Sequence, residues 1–491
     1  MAKKKVALVL SGGVSLGAYI AGAIDELLTA FACANESASG DQYEIDIISG
    51  ASAGATTGAL VAHGLLYRKG RTALHDVWVE GIDMADLLSV QDIDTEPMSV
   101  LTAGPLVKLA ASVLFAGNAG MKPDPASFCA DELILAMTIT NTLALPYSER
   151  VAEPASGRTE KFVQARNAEQ ETFRLNTATP IPYTEVWQRI ALVAQASAAI
   201  PFVFPLVHLS RQMADDEQYI LKPDLTGEAD FWYYDGGTFN NLPVDLAWNY
   251  AKTGGMDDRV IVVVNPWRPV TGLTPRDTDR PGLLQGAMGL LSAMRNESTA
   301  LRFAGEVLGR DMMQAAAPVQ HTAPAADGAA RGIAGVGDPP VELLGNFALV
   351  MPTADDKRLH GNHLHALAAF LDRSFREYDF RRGAADAQKT AHDVLKIQYD
   401  SGRPADFYLP DDDKTLPCAD DLQTYAALGT IKSTKHPDKT VLQVFEDALG
   451  KRVSGLVRKW NPPGPDLPYD LLLPPLITHL LDEHIPGLWT E

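Results

Sequence analysis

Ser52 lies at the centre of the pentapeptide GASAG, Gly50–Gly54, which has the G-x-S-x-G spacing of a serine nucleophile. The segment before it, EIDIISG, predicts a buried strand, and residues 53–66 predict a helix. A sharp turn between a strand and a helix exposes the serine hydroxyl, and the small residues on either side prevent clashes. The pattern therefore predicts that Ser52 has strained or left-handed backbone angles and faces a cavity. The alternative is an ordinary turn built from small residues.

A serine nucleophile needs a base, and Asp235 is the best candidate. It ends the aromatic run FWYY and is followed at once by Gly236 and Gly237, which allow close backbone approaches. Taken alone, the segment is also typical of an Asp-Gly turn after a strand. A carboxylate near its reference pKa of about 3.9 is a weak base, so desolvation at the strand end would have to raise its pKa.

The glycine-rich loop SGGVSLG follows a first apolar strand, Val6–Leu10. A dinucleotide site requires G-x-G-x-x-G, but Val14 occupies the place of the middle glycine. The terminal Gly-Lys-Ser/Thr of a phosphate-binding P-loop is also missing. A loop of backbone N–H groups that stabilises an oxyanion is the better interpretation.

The alternative base is a histidine, as in the α/β-hydrolases, and the candidates by composition are His63, His208, His363 and His365. None lies in a persuasive motif, and Ser52 follows only two predicted strands, which is early for that topology. His363 and His365 could also bind a metal, but such a pair more often lies on a solvated helix.

The three cysteines, Cys33, Cys129 and Cys418, are far apart and predict neither a zinc site nor a disulfide framework. No metal or cofactor is expected. This use of cysteine favours the reducing cytoplasm as the location of the protein. The basic start MAKKK precedes an apolar stretch too short for a signal peptide.

The pattern strand, helix, strand, helix over the first seventy residues predicts an α/β fold with a mainly parallel sheet. Between residues 67 and 180 the pattern weakens and does not allow a sheet to be assigned; it predicts an apolar helix at Gly104–Gly117 that is either buried or a lid that meets lipid. The apolar stretch Ile190–Leu209 contains Pro201 and Pro205 and predicts a buried helix ending near Ala199, not a membrane span. Further predictions are a strand at Arg259–Pro266, a surface loop at Gln314–Pro340 and mostly helix after Val350.

The chain of 491 residues carries 42 basic and 62 acidic side chains, so its formal charge is 42 − 62 = −20. This balance argues against nucleic acid as a partner, because such binding depends on a basic face. It also disfavours tight docking on anionic lipid.

The three segments SGGVSLGAY, SGASAG and DGGTFNNLPV, in this order, resemble the patatin-like phospholipase family. The small-residue and proline segment Ala196–Val207 resembles that family too, and Tyr378–Ala387 resembles the closing segment of some bacterial members. The resemblance implies a three-layer α/β/α fold whose catalytic domain spans residues 1–390, with a helical, variable insertion at about 67–180. Residues 391–491 would then be a mostly helical C-terminal extension, packed on the same domain or separate from it.

The resemblance also implies a Ser52–Asp235 dyad without histidine, supported by the motif glycines Gly50, Gly54, Gly236 and Gly237. Its oxyanion hole would consist of the backbone N–H groups of Gly12, Gly13, Val14 and Ala53. In this family the loop usually reads G-G-G-x-R/K-G, whereas Val14 here replaces the third glycine and Leu16 the basic residue.

The implied activity is hydrolysis of acyl esters of lipids through an acyl-enzyme, with phospholipase A or lysophospholipase chemistry as the specific type. Acyl transfer to another acceptor, or lipid binding without catalysis, are alternatives on the same fold. The expected partner is a lipid or another acyl ester, and a transient contact with a membrane surface is compatible with this activity.

Overall fold

The structure, a computed structural model, describes residues 3–37, 40–67, 70, 72–93, 99–114, 122–152, 159–213, 226–255, 258–267, 289–290, 292–298, 347–352, 359–364, 366–408, 416–417 and 425–460. The predicted surface loop at Gln314–Pro340 lies outside these residues.

One sheet organises the described part of the chain, and its strands run in the order β5-β6-β3-β2-β1-β7-β8, with β4 paired to β3. The strands β1, β2, β3, β7 and β8 pair in parallel, whereas β4, β5 and β6 join through antiparallel pairs. The strands are β1 Lys4–Leu10, β2 Tyr43–Gly50, β3 Cys129–Ala152, β4 Thr159–Asn176, β5 Val207–Gln212, β6 Glu228–Asp235, β7 Arg259–Val264 and β8 Phe347–Val350.

The helices cover both faces of this sheet. They are α1 Gly17–Glu36, α2 Ala53–Tyr67, α3 Met84–Leu87, α4 Gly104–Leu114, α5 Gln188–Ser197, α6 Val244–Gly254, α7 Arg373–Asp393 and α8 Val441–Trp460. The helix predicted to begin at Ile190 and end near Ala199 is thus α5, and the chain then turns through Pro201 and Pro205 into β5.

Strand β1 is covered on both faces of the sheet, which explains its unbroken run of apolar residues. Val6, Leu8 and Leu10 point into the core that contains α1 and α2, while Ala7 and Val9 pack with α6 on the other face. A parallel strand covered on both faces can place no charge on either side. The three-layer α/β/α fold is therefore confirmed.

The insertion is not simply helical, which corrects the expectation for residues 67–180. Besides α3 and α4 it supplies β3, a central strand parallel to β2, and the long β4 paired antiparallel to β3. The β4 sequence is rich in helix-forming Glu, Gln and Arg, so local propensity does not favour a strand. Its buried Glu171 is neutralised by Arg211 at 3.0 Å and Arg189 at 2.6 Å, both distant in sequence.

Helix α1 is largely buried in the core beside the site. The stretch Val14–Glu36 is long and apolar enough to cross a membrane by length and composition alone, but 78% of its most apolar window is buried in the protein. It packs against α7 at very short range, since a Cβ on Gly22 or Gly383 would overlap the backbone of the other helix. This contact ties Tyr378–Ala387 to the first helix of the chain.

The C-terminal helix α8 contacts the segment around α3. The fully buried Arg452 donates to the carbonyl oxygens of Val100 and Ser89 and pairs with Asp92. The described part of the extension is therefore joined to the insertion by a buried cation.

Candidate active site

Ser52 occupies a strained turn between β2 and α2. Its φ is +52°, in the left-handed region that non-glycine residues rarely adopt. The two motif glycines make the turn sterically possible: a Cβ on Gly54 would overlap the carbonyl oxygens of Leu10 and Ser11, and one on Gly50 would lie 2.5 Å from the oxygen of Gly54. The strand-turn-helix geometry expected for a nucleophile is present, and Ser52 lines a cavity.

Asp235 reaches the same sheet edge from the opposite direction. Strand β6 pairs with β3 along the far part of β3 alone, where Asp235 is opposite Ile139. In the neighbouring pair, Gly50 of β2 is opposite Met137 of β3. Because β6 runs antiparallel to β3, its carboxyl end arrives beside the carboxyl end of β2. The two residues, 183 apart in sequence, thus become neighbours.

The hydroxyl of Ser52 donates a hydrogen bond to Oδ2 of Asp235 at 2.6 Å. The other oxygen, Oδ1, accepts from the amide of Gly237 at 2.6 Å, so the carboxylate is held at both ends. Backbone bonds fix its position, with the Asp235 amide donating to Ala199 O at 2.8 Å and the Thr140 hydroxyl to Asp235 O at 2.9 Å. A Cβ on Gly236 would overlap the backbone of Thr138, which explains the first glycine of the pair.

Burial raises the pKa of Asp235 from 3.8 to about 7, because desolvation disfavours the charged form. The hydrogen bonds from Ser52 and Gly237 and the positive charge of Arg295 act in the opposite direction on this pKa. A carboxyl group with a pKa near neutral is a much stronger base than an exposed aspartate.

The glycine-rich loop lies next to the strand-turn-helix that carries Ser52, which we call the Ser52 elbow. Not all backbone N–H groups of the loop are free to stabilise an oxyanion. The Gly12 N–H donates to the carbonyl oxygen of Asn241 at 2.8 Å. This bond corrects the expectation that Gly12 donates to an oxyanion, because its donor is already used within the protein. The N–H groups of Gly13, Val14 and Ala53 have no acceptor among the described residues, and all three line the cavities that meet at Ser52.

Val14 adopts the conformation that the usual glycine would take more easily. Its φ is +53°, a strained angle for a β-branched residue. The loop therefore keeps its shape although the glycine is missing, and the Val14 side chain lies between two cavities, lining both.

Four residues that sequence reasoning did not assign to the site support or complete it: Ser197, Asn241, Trp267 and Arg295. The Ser52 amide donates to Ser197 Oγ at 2.8 Å, and Trp267 Nε1 donates to Gly12 O at 2.6 Å. Ser197 and Asn241 lie in the quoted family segments and could have been considered on that ground. No sequence motif marks Trp267 or Arg295.

An apolar cavity of about 310 Å³ opens beside Ser52. Its walls come from α2, α4, α5 and the segment around Trp78, and none of its described lining residues carries a charged side chain. The predicted helix at Gly104–Gly117 contributes through Leu106, Leu109 and Leu114. Such a cavity suits a hydrocarbon chain.

The candidate histidines have other surroundings. His63 packs against the rings of Tyr67 and Trp187, at centroid distances of 5.3 and 5.1 Å, and His208 against Trp232 at 5.1 Å. His365 lies outside the described residues. Within the described ranges, no group of three or more His, Cys, Asp or Glu side chains could hold a metal ion.

A comparison with curated proteins finds no match. In the comparison with protein families, residues 8–248 match the family described as patatin-like phospholipase. The match begins in β1, ends in α6 and includes the glycine-rich loop, the Ser52 elbow and Asp235. Residues 8–248 of this chain thus belong to the patatin-like phospholipase family.

Proposed function

We propose that this protein is a serine acyl hydrolase that cleaves lipid esters with Ser52 as nucleophile and Asp235 as general base. Its family indicates a lipid acyl hydrolase in general. The observation that carries the residue assignment is the 2.6 Å hydrogen bond from the Ser52 hydroxyl to a buried carboxylate, made from a strained turn beside an apolar cavity.

In the first half of the reaction, Asp235 accepts the Ser52 proton as the serine oxygen attacks the ester carbonyl. The carbonyl oxygen becomes an oxyanion, which the N–H groups of Gly13 and Val14 are placed to stabilise, with Ala53 on the other side of the serine. Collapse of this intermediate expels the alcohol, which takes the proton from Asp235. An acyl-enzyme on Ser52 remains.

In the second half, Asp235 removes a proton from a water molecule that attacks the acyl-enzyme. The fatty acid leaves, and the proton returns from Asp235 to the Ser52 oxygen. One carboxylate serves both halves because the hydroxyl and the attacking water occupy the same side of the site in turn. Phospholipase A or lysophospholipase cleavage is the specific chemistry that we propose.

The acyl chain would lie in the cavity of about 310 Å³, because its walls are predominantly apolar and offer contacts to a hydrocarbon chain. The lining leucines of α4 and the Trp78 side chain enclose it. Acyl chains longer than the cavity can hold would have to extend from its mouth.

We further propose that the protein contacts a membrane surface transiently through Phe202 and Val100. Their side chains are 73% and 44% exposed, and the Val100 amide donates to Phe202 O at 3.0 Å, so they lie side by side. Ile200 and Phe204, on either side of Phe202 in sequence, line the apolar cavity. An apolar patch next to this cavity would shorten the path of a lipid from bilayer to nucleophile.

A fluorophosphonate probe tests the nucleophile directly, because it phosphonylates activated serines. Wild-type protein should be labelled, and Ser52→Ala should not. Ser49→Ala is the matched control, since Ser49 is a buried serine of β2 that donates to Pro243 O, and it should be labelled normally. A panel of phospholipids, lysophospholipids and glycerides then identifies the ester. Equal labelling or equal turnover by Ser52→Ala would contradict the proposal.

A further inference from the structure

The peptide group between Gly12 and Gly13 adjoins the nucleophile. A Cβ built on Gly12 would lie 3.2 Å from the Cβ of Ser52. The N–H of this peptide belongs to Gly13, has no acceptor among the described residues and is one of the proposed oxyanion donors. Gly13 and Ser52 both line a second cavity, of about 450 Å³, beside the apolar one. The orientation of this peptide therefore sets the direction of an oxyanion donor.

The carbonyl end of the same peptide is held by side chains. Three of them in the described part of the chain donate hydrogen bonds to the Gly12 oxygen: Trp267 through Nε1 at 2.6 Å, Ser11 through Oγ at 3.3 Å and Asn241 through Nδ2 at 3.4 Å. The last two distances exceed the usual range for a hydrogen bond, whereas the first is short. The indole N–H is therefore the main constraint on this carbonyl group.

The central sheet brings the indole to the loop. Strand β7 pairs in parallel with β1, and its last residue, Val264, is opposite Leu10. Gly12 follows Leu10 closely and Trp267 follows Val264 closely, so both leave the sheet at the same edge. The guanidinium carbon of Arg295 lies 4.2 Å from the centroid of the indole ring. Arg295 thus packs on the ring while the ring N–H reaches the loop.

The geometry of a peptide group links its two ends. In a trans peptide the C=O and the N–H lie in one plane and point in opposite directions. Holding the Gly12 carbonyl against Trp267 therefore directs the Gly13 N–H away from the indole. A hydrogen bond accepted by a carbonyl oxygen also polarises the peptide, which makes its N–H a stronger donor.

We propose that Trp267 is a positioning residue of the oxyanion hole: its indole N–H holds and polarises the Gly12–Gly13 peptide so that the Gly13 N–H donates to the oxyanion. The inference rests on the proposed function and adds to it a residue outside the family-matched segment 8–248. The oxyanion exists only during the reaction. Trp267 should therefore act on the transition state and not on substrate binding.

The first test replaces Trp267 by phenylalanine, which keeps an aromatic ring beside Arg295 and removes the N–H donor. For a lipid ester, kcat should fall by about tenfold, less than the loss of about a hundredfold or more expected when an oxyanion donor itself is removed. KM should stay within about twofold. Both halves of the reaction form an oxyanion, so the loss does not depend on which half is slower.

Trp248→Phe is the matched control. Trp248 is buried, and the Nζ of Lys252 lies 5.3 Å from its ring centroid, so this indole also packs against a cation. Its Nε1, however, has no hydrogen-bond partner in the described part of the protein. The same chemical change there removes no hydrogen bond to the site, and kcat should remain that of wild type.

Two ketones with the same alkyl chain give a readout that a purely structural role of Trp267 would not move. The Ser52 oxygen adds to the carbonyl carbon of a trifluoromethyl ketone, the serine proton passes to Asp235, and the ketone oxygen becomes an anion in the hole. The methyl ketone binds without this addition. In Trp267→Phe the inhibition constant of the trifluoromethyl ketone should rise by about tenfold, and that of the methyl ketone should stay within about twofold.

A second variant keeps the test decisive if the phenylalanine variant does not fold. Replacement of Trp267 by 3-benzothienylalanine preserves the bicyclic ring and removes the N–H, so it should give the same losses. Equal losses for both ketones would mean that the site is displaced and would overturn the inference. Wild-type kinetics in both Trp267 variants, with Ser52→Ala inactive, would overturn it and leave the hydrolase proposal intact. A wild-type protein that neither hydrolyses lipid esters nor prefers the trifluoromethyl ketone would overturn both proposals.

Discussion

Ser52 and Val14 are both non-glycine residues with positive φ, and both lie at the proposed reaction centre. Each such angle costs about 1–2 kcal/mol, so the surrounding structure must impose it. At Ser52 the strain presents the hydroxyl to Asp235. At Val14 it keeps the shape of the amide loop without the usual glycine.

At the residue scale, replacing Asp235 by asparagine should lower turnover by at least about a hundredfold, because the base is removed while the shape of the side chain is kept. The fold should survive, since the asparagine oxygen can still accept from the Gly237 amide. Ester hydrolysis and far-ultraviolet circular dichroism check both statements. Asp245→Asn is the control, because Asp245 is buried but lines neither cavity, and near-normal turnover by Asp235→Asn would exclude the dyad.

The raised pKa of Asp235 predicts the pH dependence of the reaction. Only the ionised carboxylate accepts the serine proton, so kcat/KM should rise with pH through an apparent pKa of about 7. A profile flat from about pH 5 to 9 would be incompatible with this base.

The same shift affects stability, and its sign follows from the two pKa values. Folded protein keeps a proton on Asp235 up to about pH 7, whereas an ordinary aspartate, with a pKa of 3.8, has lost it. Stability therefore falls as pH rises from about 4 to about 7, and Asp235→Asn removes this fall. Relative to wild type, the variant should gain about 1–3 kcal/mol in free energy of unfolding near pH 8 and little near pH 4, as measured with urea. A gain equal at both pH values would contradict the linkage.

At the scale of elements, the site depends on how closely α2 approaches the end of β1. Gly54 marks the contact, since any Cβ there would overlap the backbone oxygens of Leu10 and Ser11. Gly54→Ala should therefore lower the free energy of unfolding by at least about 2 kcal/mol and displace Ser52.

Gly58→Ala is the matched control in the same helix. Its Cβ would lie 3.0 Å from Ile48 Cγ2, a side-chain methyl that can move slightly, and alanine favours helix over glycine. Its cost should be below about 1 kcal/mol. Thermal melting and fluorophosphonate labelling of both variants would show whether the loss of stability comes from contact with the backbone or from helix propensity.

At the scale of the whole molecule, the buried Arg452 should make α8 part of the cooperative unit. Arg452→Ala would leave Asp92 and three carbonyl oxygens without this donor, which should cost about 3–5 kcal/mol. Lys439→Ala, which removes an exposed ion pair with Asp447, should leave the melting temperature nearly unchanged, because an exposed ion pair is screened by solvent. Similar melting temperatures for the two variants would mean that the extension folds separately.

The formal charge of the molecule affects how it contacts a membrane. A formal charge of −20 disfavours docking on anionic bilayers. Membrane contact through Phe202 and Val100 should therefore be strongest on zwitterionic vesicles and weaken as anionic lipid is added.

The sequence alone determined the elements whose cause is local. The unbroken apolar run of β1, the strand-turn-helix around Ser52 and the glycines after Asp235 each follow from neighbouring residues, and all three are present in the structure. The order of the quoted motifs was sufficient to recognise the family. Backbone preferences and hydrophobic patterns are properties of short segments, so they can be read without the fold.

Tertiary structure decided everything that depends on distant partners. Strand β4 has a helix-like composition and is a strand because β3 pairs with it and distant arginines neutralise Glu171. The Gly12 amide is used by Asn241, which no local pattern indicates. Arg295 belongs to no motif and reaches the site only because the chain folds back to the serine. Pairing, desolvation and cavity shape arise between residues far apart in sequence, and a reading of short segments cannot supply them.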